Sequence, residues 1–442
     1  MNRLGLIAGK LALFASRLRK GGSSVPGYVA NRIAPNLLSS LRYPDLVIAV
    51  TGTNGKTSTA NLIAEIFRAN GMKVAHNTRG ANMMSGLATA LIEKTGISLK
   101  VNADVVVLEI DEASVPLAFA QIRPQYLLIN NFFRDQLERY GELETVIAKV
   151  SESIQPAQVL VCNGNDPLTT KVALDHPDNH TIFFGVGRTA QSTSAEGEAR
   201  ESKWCPVCNH HLGYDFYHYS QIGHFRCDNC GFATPRLDAE AIDVDFADKS
   251  FTVNATRYRS GYDNLYFLFN IMGAIALTTD VGVSPDVIAR ALSSFEIGDG
   301  RMERFRVRDA ETFLNLVKNP AGLNQTITHI LAQDHEQFSV FMALNNQSAD
   351  SIDTSWIWDA ALEKFDTDRL QTFVCSGDRA YDLAVRLENA GVPSSKVVVL
   401  PVVEEGLTYL RDSTSGQPFV LTNYTPLQPV RRMLASFPEN SR

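Results

Sequence analysis

Residues 50–58 read VTGTNGKTS, and this stretch decides the fold of the 442-residue chain. An apolar strand pattern at residues 46–50 precedes it, and an amphipathic helical pattern that stops near Gly71 follows it. Glycines let backbone N–H groups approach an anion, and the start of a helix adds partial positive charge. Lys56 can reach the outer phosphates of a nucleotide, and the Thr57 hydroxyl can hold Mg²⁺. The stretch therefore predicts an ATP site in an α/β fold, formed by Gly52, Thr53, Asn54, Gly55, Lys56, Thr57 and Ser58.

The loop departs from the common phosphate-loop pattern, which has a glycine five residues before its Gly-Lys pair. Val50 occupies that position here. A glycine turn without a ligand is the alternative, and the full string between a strand and a helix argues against it. The string TGTNGKTS resembles the nucleotide loop of the Mur ligases and folylpolyglutamate synthetases. That resemblance implies activation of a carboxylate as an acyl phosphate, which an amine then displaces.

Length and patterning predict several domains, because 442 residues exceed what one hydrophobic core usually organises. We expect a helical lead-in over residues 1–45. A Mur ligase-like central ATP-binding domain with a parallel sheet should span residues 46–298. A smaller Rossmann-like α/β domain should span residues 299–442, because apolar strands alternate again after the glycines at 298 and 300.

The net charge of −7 argues against broad binding to a nucleic-acid backbone. Near the N-terminus, an apolar stretch at residues 4–15 is interrupted by Lys10 and followed by basic residues, which suits neither export nor a membrane span. A basic amphipathic helix packed on the core is the favoured interpretation, and contact with a membrane surface is the alternative. The expected compartment is the cytoplasm, with peripheral contact at the inner face of the cell membrane as the further option.

Two C-x-x-C pairs, separated by 18 residues, form a cysteine-rich insert at about residues 203–234. Four thiolates at this spacing predict a tetrahedral, structural Zn²⁺ site in an inserted zinc ribbon. Histidines nearby could replace a cysteine, but surface positions are the simpler interpretation. A folding or docking role is favoured over nucleic-acid binding, because the insert has no dense basic patch. The predicted ligands are Cys205, Cys208, Cys227 and Cys230.

The resemblance to Mur ligases implies further nucleotide-site residues. Glu109 ends a predicted strand and matches the glutamate that holds the catalytic Mg²⁺, whereas Asp111 and Glu112 are expected to be solvated loop charges. Asn270 matches the asparagine motif near the adenine. Arg301 lies in a G-R-x-E match and is expected to steady the transferring phosphate.

Three segments resemble one branch of the family, the synthetase subunits that amidate lipid II. Gln136 stands where amino-acid-adding ligases have histidine, and Lys318-Asn319 also departs from those ligases. Residues 345–359 read NNQSADSIDTSWIWD and match the branch's aspartate- and tryptophan-rich motif. The resemblance implies a heterodimer with a GatD-type glutaminase, to whose cysteine and histidine this chain adds a catalytic aspartate. We assign Asp353, with Asp350 as the alternative; capping of a helix start is the competing explanation for either carboxylate.

The resemblance implies ATP-dependent amidation of the D-glutamate α-carboxylate of lipid II, with ammonia from the partner and with ATP, Mg²⁺ and structural Zn²⁺ as cofactors. A stand-alone ligase that adds an amino acid to a UDP-linked precursor or a folate is the alternative, disfavoured by Gln136 and Lys318. A zinc-ribbon nucleic-acid protein with an NTPase motor is a second alternative, disfavoured by the acidic net charge.

Overall fold

The computed structural model describes residues 1–18, 24–77, 81–135, 141–194, 201–296 and 302–440. The chain divides into two compact units, each with its own sheet and its own core. The first unit contains Met1–Phe133, Glu142–Glu196 and Arg200–Glu296. The second contains Arg134–Gly141, Gly197–Ala199 and Ile297–Arg442.

The strands of the first unit form one large sheet and one separate hairpin. The large sheet consists of β1 (Leu46–Thr51), β2 (Val74–His76), β3 (Val105–Glu109), β4 (Tyr126–Ile129), β5 (Val159–Asn163), β6 (Thr181–Val186), β9 (Ala239–Asp245), β10 (Ser250–Val253) and β11 (Thr256–Arg259). The hairpin consists of β7 (Gly213–Tyr219) and β8 (Ile222–Arg226). The strand order of the large sheet is β11-β10-β9-β6-β5-β4-β1-β3-β2. Neighbours from β2 to β9 are parallel, whereas β9, β10 and β11 are antiparallel.

Strand β1 marks the point where the strand order reverses. It pairs with β3 on one side and β4 on the other, so that Val50 lies opposite both Glu109 and Leu128. The loops that follow these three strands therefore meet at one edge of the sheet. In open α/β sheets this crevice at the carboxyl ends of the strands is where ligands bind.

Helices cover the parallel strands, which explains why the strands read as unbroken apolar runs. All five residues of β3 are buried. The helices of this unit are α1 (Asn2–Leu18), α2 (Val25–Ile33), α3 (Lys56–Ala69), α4 (Met84–Lys94), α5 (Val115–Phe119), α6 (Leu143–Glu152), α7 (Pro167–Leu174), α8 (Leu265–Asp280) and α9 (Pro285–Ser294). Helices α3 and α8 pack against each other, and this brings α8 to the loop after β1.

Helix α1 packs closely on α2 and α4 through two glycines. A Cβ atom at Gly5 would lie 2.6 Å from the Ala34 Cβ, and one at Gly9 would lie 2.9 Å from the Ile92 Cδ1. One face of α1 is therefore part of the core, as the sequence indicated. Within the described ranges, no helix combines the length and the apolarity needed to cross a membrane.

The second unit is a six-stranded sheet with helices around it. Its strands are β12 (Glu303–Val307), β13 (Ala310–Leu316), β14 (Phe338–Ala343), β15 (Leu370–Ser376), β16 (Val397–Val399) and β17 (Gln417–Thr422), and its helices are α10 (Pro320–Ala332), α11 (Ala380–Asn389), α12 (Val403–Ser413) and α13 (Tyr424–Ser436). The order is β12-β13-β17-β14-β15-β16, and only the pair β12–β13 is antiparallel among these strands. The four strands expected from apolar runs after residue 337 are β14 to β17.

Candidate functional site

The loop between β1 and α3 has the backbone of a phosphate cradle. Gly52 and Gly55 have φ angles of 115° and 82°, a region that favours glycine. A Cβ atom at Gly55 would lie 1.9 Å from the Asn270 Oδ1, so a larger residue there would displace the Asn270 side chain. Helix α3 begins at Lys56, and its first turn, including Thr57 and Ser58, is buried at the carboxyl edge of the sheet. The loop therefore presents backbone amides and a helix N-terminus together.

The segment after β4 holds this loop in place. The Thr53 N–H donates to the Asn131 carbonyl at 2.9 Å, and the Asn54 N–H donates to the Asn131 Oδ1 at 2.9 Å. The Phe133 N–H donates to the Thr53 Oγ1 at 3.0 Å. The sequence carried no signal for this clamp, since Asn131 and Phe133 read only as part of a family motif.

Lys56 forms a buried ion pair with Glu112. Its ammonium donates to the Glu112 Oε2 at 2.8 Å and to the Gly52 carbonyl at 2.7 Å. Burial lowers the pKa of Lys56, but the attraction of Glu112 and of two further carboxylates outweighs it, so the pKa lies above its usual value. The ammonium is therefore charged at the loop, where phosphate oxygens would lie.

The expectation that Asp111 and Glu112 are solvated loop charges is wrong. Both residues are buried, and Asp111 accepts a hydrogen bond from the Ala113 N–H at 3.2 Å. The chain turns back after β3 and directs Glu112 at Lys56, 56 residues earlier. This contact depends on the pairing of β1 with β3, which periodicity along the sequence does not reveal.

Glu109 and Thr57 lie together as a pair of oxygen donors. The Thr57 hydroxyl donates to the Glu109 Oε1 at 2.9 Å, and the Asn82 amide donates to the same oxygen at 3.0 Å. The Glu109 Oε2 is buried without a hydrogen-bond partner among the described residues. A buried carboxylate oxygen left open beside a hydroxyl suits Mg²⁺, which takes one or two carboxylates together with phosphates and waters.

Asn270 reaches the phosphate loop from α8. Its side-chain Nδ2 is buried and has no hydrogen-bond partner within the described part of the chain, so a donor is available beside Gly55. Asn264, six residues earlier, instead caps α8 by accepting from the Phe267 N–H at 2.8 Å. Arg301 and Gln136 fall outside the described residues.

The four cysteines of the insert converge. Their Sγ atoms all lie within 4.8 Å of one another. The nearest pairs are Cys205–Cys230 at 3.6 Å and Cys208–Cys227 at 3.5 Å, far beyond a disulfide bond length. The cluster is therefore compatible with Zn²⁺ in a tetrahedral thiolate site.

The two cysteine turns share one backbone design. Asn209 and Gly231 each lie four residues after the first cysteine of a pair, and both have a positive φ. Each donates its N–H to the carbonyl of that cysteine at 2.9 Å. Among the nearby histidines, His224 contacts Asp215 at 2.7 Å, and His210 and His211 are exposed, in keeping with the surface interpretation.

The hairpin β7–β8 of the insert is fixed to the carboxyl edge of the large sheet. At its turn, the Gln221 Nε2 donates to the Phe132 carbonyl at 2.7 Å. Phe132 lies between the two residues that clamp the phosphate loop, and its N–H donates to the Asp166 Oδ2 at 2.9 Å. The Tyr219 ring stacks near Phe133 at 6.2 Å between centroids. The cysteine cluster and the nucleotide loop are thus connected through one short segment.

In the second unit, the two candidate aspartates have different surroundings. Asp350 is 2% exposed and accepts from the Thr425 N–H at 2.7 Å and the Thr425 hydroxyl at 2.5 Å. Asp353 is exposed and accepts from the Ser355 N–H at 2.8 Å. Hydrogen bonds from Ser355 lower the pKa of Asp353, so its carboxylate is ionised at neutral pH.

Exposed apolar side chains accompany Asp353. Ile352 is 67% exposed and Trp358 is 51% exposed. The Arg386 guanidinium lies 5.4 Å from the Trp358 ring centroid, on the helix α11 that also carries the exposed Tyr381 and Val385. Exposed apolar side chains such as these are typical of protein interaction surfaces.

Lys318 and Asn319 have structural partners within the second unit. The Lys318 ammonium pairs with the Asp135 carboxylate. The Asn319 side chain caps α10 by accepting from the Gly322 N–H at 2.9 Å.

Comparisons with known proteins agree with this geometry. The Mur ligase middle domain matches residues 50–234, and the MurT ligase C-terminal region matches residues 316–427. The lipid II isoglutaminyl synthase (glutamine-hydrolyzing) subunit MurT of Staphylococcus aureus strain COL is 31% identical over 434 residues, covering 96% of each chain. Its counterpart in Streptococcus pneumoniae strain R6 is 32% identical over 439 residues, covering 98% of this chain and 97% of that one.

The chain belongs to the MurT family. Membership confirms the resemblance inferred from the sequence and the assignment as a ligase of the Mur type. Solved structures share the fold of this chain: a pseudomurein peptide ligase type C from Methanothermus fervidus superposes with a TM-score of 0.69 at 19% identity, covering 90% of this chain and 80% of that one. A folylpolyglutamate synthase from Mycobacterium tuberculosis gives a TM-score of 0.62 at 13% identity, covering 98% and 100%. These two likenesses bear on the fold alone, and they confirm the predicted α/β class.

Proposed function

We propose that this chain is the synthetase subunit of a lipid II isoglutaminyl synthase in peptidoglycan synthesis. The proposed reaction converts the α-carboxylate of D-glutamate in the lipid II stem peptide to the amide of D-isoglutamine. The main support for the proposal is that one chain contains both a Mur ligase middle domain with its nucleotide loop and a MurT-type C-terminal region. The relatives that bear this enzyme's name align with nearly the whole length.

The chemistry has two steps. A carboxylate oxygen of the substrate attacks the γ-phosphorus of ATP, and ADP leaves. Ammonia then attacks the acyl carbon, inorganic phosphate leaves, and the nitrogen loses a proton. Lys56 would stabilise the charge on the transferring phosphoryl group. Arg301, by its position in the G-R-x-E match, would stabilise the same charge through its guanidinium.

The Glu109 and Thr57 oxygens would hold Mg²⁺ at the phosphate loop, because one carboxylate oxygen is open and the hydroxyl lies beside it. When bound, this ion supplies positive charge against the triphosphate. Asn270 would donate its free amide hydrogen to the nucleotide. Before the nucleotide binds, Glu112 holds Lys56, so phosphate oxygens must compete with that carboxylate for the ammonium.

The partner in this proposal is a GatD-type glutaminase that docks on the domain of residues 299–442. Asp353 would orient the partner's catalytic histidine, as the third member of a nucleophile–base–orienter arrangement. The exposed carboxylate of Asp353 and the apolar side chains near it support this choice. Asp350 already accepts two hydrogen bonds from Thr425, so the alternative is less favoured.

Zn²⁺ would serve as a structural ion in the ribbon of residues 203–234, within a central domain of residues 46–298 that follows the lead-in of residues 1–45. Four cysteine ligands leave no open coordination position for catalysis. The work of the enzyme would take place at the cytoplasmic face of the membrane, because its substrate is anchored in the lipid.

The test is co-purification with a glutaminase subunit, followed by mass analysis of lipid II incubated with ATP and glutamine. The proposal requires a loss of about one mass unit per lipid II, since amidation replaces OH by NH₂. An unchanged mass, or turnover that needs a free amino acid instead of glutamine or ammonia, would refute it.

Asp353→Asn tests separately the use of glutamine by the partner and the amidation by this chain. This variant should lose glutamine-driven amidation and keep amidation driven by added ammonium, because only the partner's histidine depends on the carboxylate. Asp359→Asn, in the same segment, is the matched control and should keep both activities. If Asp353→Asn retains glutamine use, the assignment to Asp353 is wrong.

A further inference from the structure

Helix α1 carries an exposed apolar stripe on the side away from its core contacts. Leu11, Phe14 and Leu18 are 66%, 67% and 73% exposed. At about 100° per residue, the stripe occupies roughly 80° of the helix circumference and runs about 21 Å along it. Its five members are Leu4, Ile7, Leu11, Phe14 and Leu18.

The stripe does not belong to the side of α1 that packs on the core of this unit. The core contacts of α1 come from Gly5, Leu6 and Gly9, which lie on the opposite side of the helix. The glycines fix this orientation, since rotation of α1 would drive larger side chains into Ala34 and Ile92. Burial of the stripe therefore needs something other than the described residues of this unit.

A row of basic residues borders the stripe. Arg3, Lys10 and Arg17 recur every seven residues and occupy one flank of the apolar arc. The helix contains no aspartate or glutamate. Arg17 pairs with Glu93 at 2.7 Å, but both side chains are exposed, and such surface pairs are weak. The helix thus combines an apolar arc with a flank of positive charge.

We propose that α1 is a membrane-surface anchor that lies in the plane of an anionic phospholipid bilayer. Leu11 and Phe14 enter the acyl boundary, and Lys10 with its neighbours in the basic row contacts the anionic headgroups. This inference rests on the proposed function for its purpose, because a lipid-linked substrate is presented at the same surface. The length of α1, 17 residues, suits a helix that lies in the interface.

The charge on α1 favours a bilayer over a second copy of this chain. Two α1 helices packed antiparallel through the stripe would place their basic rows side by side, and a parallel pair would leave both rows without counter-charges, whereas an anionic bilayer supplies counter-charges to the row. The apolar arc has no hydrogen-bonding groups that would specify a protein partner, and a bilayer needs none.

The test is flotation of the full chain, in complex with its glutaminase subunit, with two kinds of vesicle. We expect binding to vesicles of phosphatidylglycerol mixed with phosphatidylcholine, and weaker binding to phosphatidylcholine alone. Leu11→Ser combined with Phe14→Ser should reduce binding at least tenfold, in line with the loss of roughly ten buried carbons. Arg3→Gln combined with Lys10→Gln should reduce binding to the anionic vesicles by about fivefold per residue.

The matched control is Leu117→Ser combined with Leu174→Ser, which removes exposed apolar side chains elsewhere in the same unit. It should bind vesicles like the unchanged protein. The inference is overturned if neither kind of vesicle binds, or if the control loses binding equally. It is also overturned if the α1 variants lose the glutaminase subunit or change the oligomeric state, since the stripe then serves a protein interface. Amidation of detergent-dissolved lipid II, measured in parallel, tests the proposed function without the membrane.

Discussion

Gln221 offers the sharpest test of the connection between the cysteine insert and the nucleotide loop. Its side chain is fully buried, and its amide is the donor to the Phe132 carbonyl at 2.7 Å. Gln221→Met keeps the volume of the side chain and removes the donor. The Phe132 carbonyl then loses a partner in the interior, which costs about 1–3 kcal/mol.

Part of the free energy lost at the Phe132 carbonyl should appear as weaker binding of ATP. Phe132 is flanked by Asn131 and Phe133, which together hold Thr53 and Asn54 by the bonds described above. If the segment shifts to find another donor, the loop shifts with it. Since 1.4 kcal/mol corresponds to a factor of ten in affinity, we expect the Kd for ATP to rise about tenfold.

Gln158→Met is the matched control for Gln221→Met. Gln158 is also buried and donates its amide to the Pro124 carbonyl at 3.0 Å, at the opposite edge of the same sheet. Urea unfolding should report a similar loss of stability for both variants, whereas calorimetry with Mg-ATP should report weaker binding for Gln221→Met alone. Equal ATP affinities for the two variants would refute the coupling.

Three further perturbations test other contacts. Glu112→Gln leaves Lys56 as a buried charge without its main counter-ion, so the free energy of unfolding of the nucleotide-free protein should fall by about 3 kcal/mol. Mg-ATP should then raise the melting temperature of this variant more than that of the unchanged protein. A smaller rise in a thermal-shift assay would contradict this. The proposed zinc site predicts that atomic emission detects zinc in the unchanged protein and in Cys375→Ser, in the other unit's core, whereas Cys227→Ser should lack zinc and melt at a lower temperature. Burial lowers the pKa of His76 to about 4 from an ordinary value of 6.5. Below pH 6.5 the imidazole is therefore protonated in the unfolded chain but stays neutral in the folded chain. Stability should therefore fall by about 2 kcal/mol between about pH 6.5 and about pH 5, and urea unfolding of His76→Gln should lack this part of the slope.

The sequence predicted the parts of the site that are local. The loop from Gly52 to Thr57 and the four cysteines are short patterns whose chemistry follows from residue type and spacing. The sequence and its resemblance to Mur ligases also assigned Thr57 and Glu109 to one Mg²⁺, and the structure places the two side chains within hydrogen-bond distance.

Contacts between distant segments could not be predicted in the same way. Glu112 reads as a solvated loop charge and Gln221 lies in no motif, so their partners are known only once the sheet order is known. Asp350 and Asp353 stand three residues apart in one motif, and burial and hydrogen-bond partners distinguish them. Burial is a property of the packed unit, which a single sequence does not record.

The contact of Asn270 with the phosphate loop has a consequence for the synthesis of the chain. The loop leaves the ribosome early, but Asn270 follows it by more than 200 residues, as the 211-residue separation between Thr59 and the Asn270 carbonyl records. A nascent chain that already contains Lys56, Glu109 and the cysteine insert therefore still lacks one wall of the nucleotide site. The candidate nucleotide site is therefore completed late in translation, after the whole large sheet has been made.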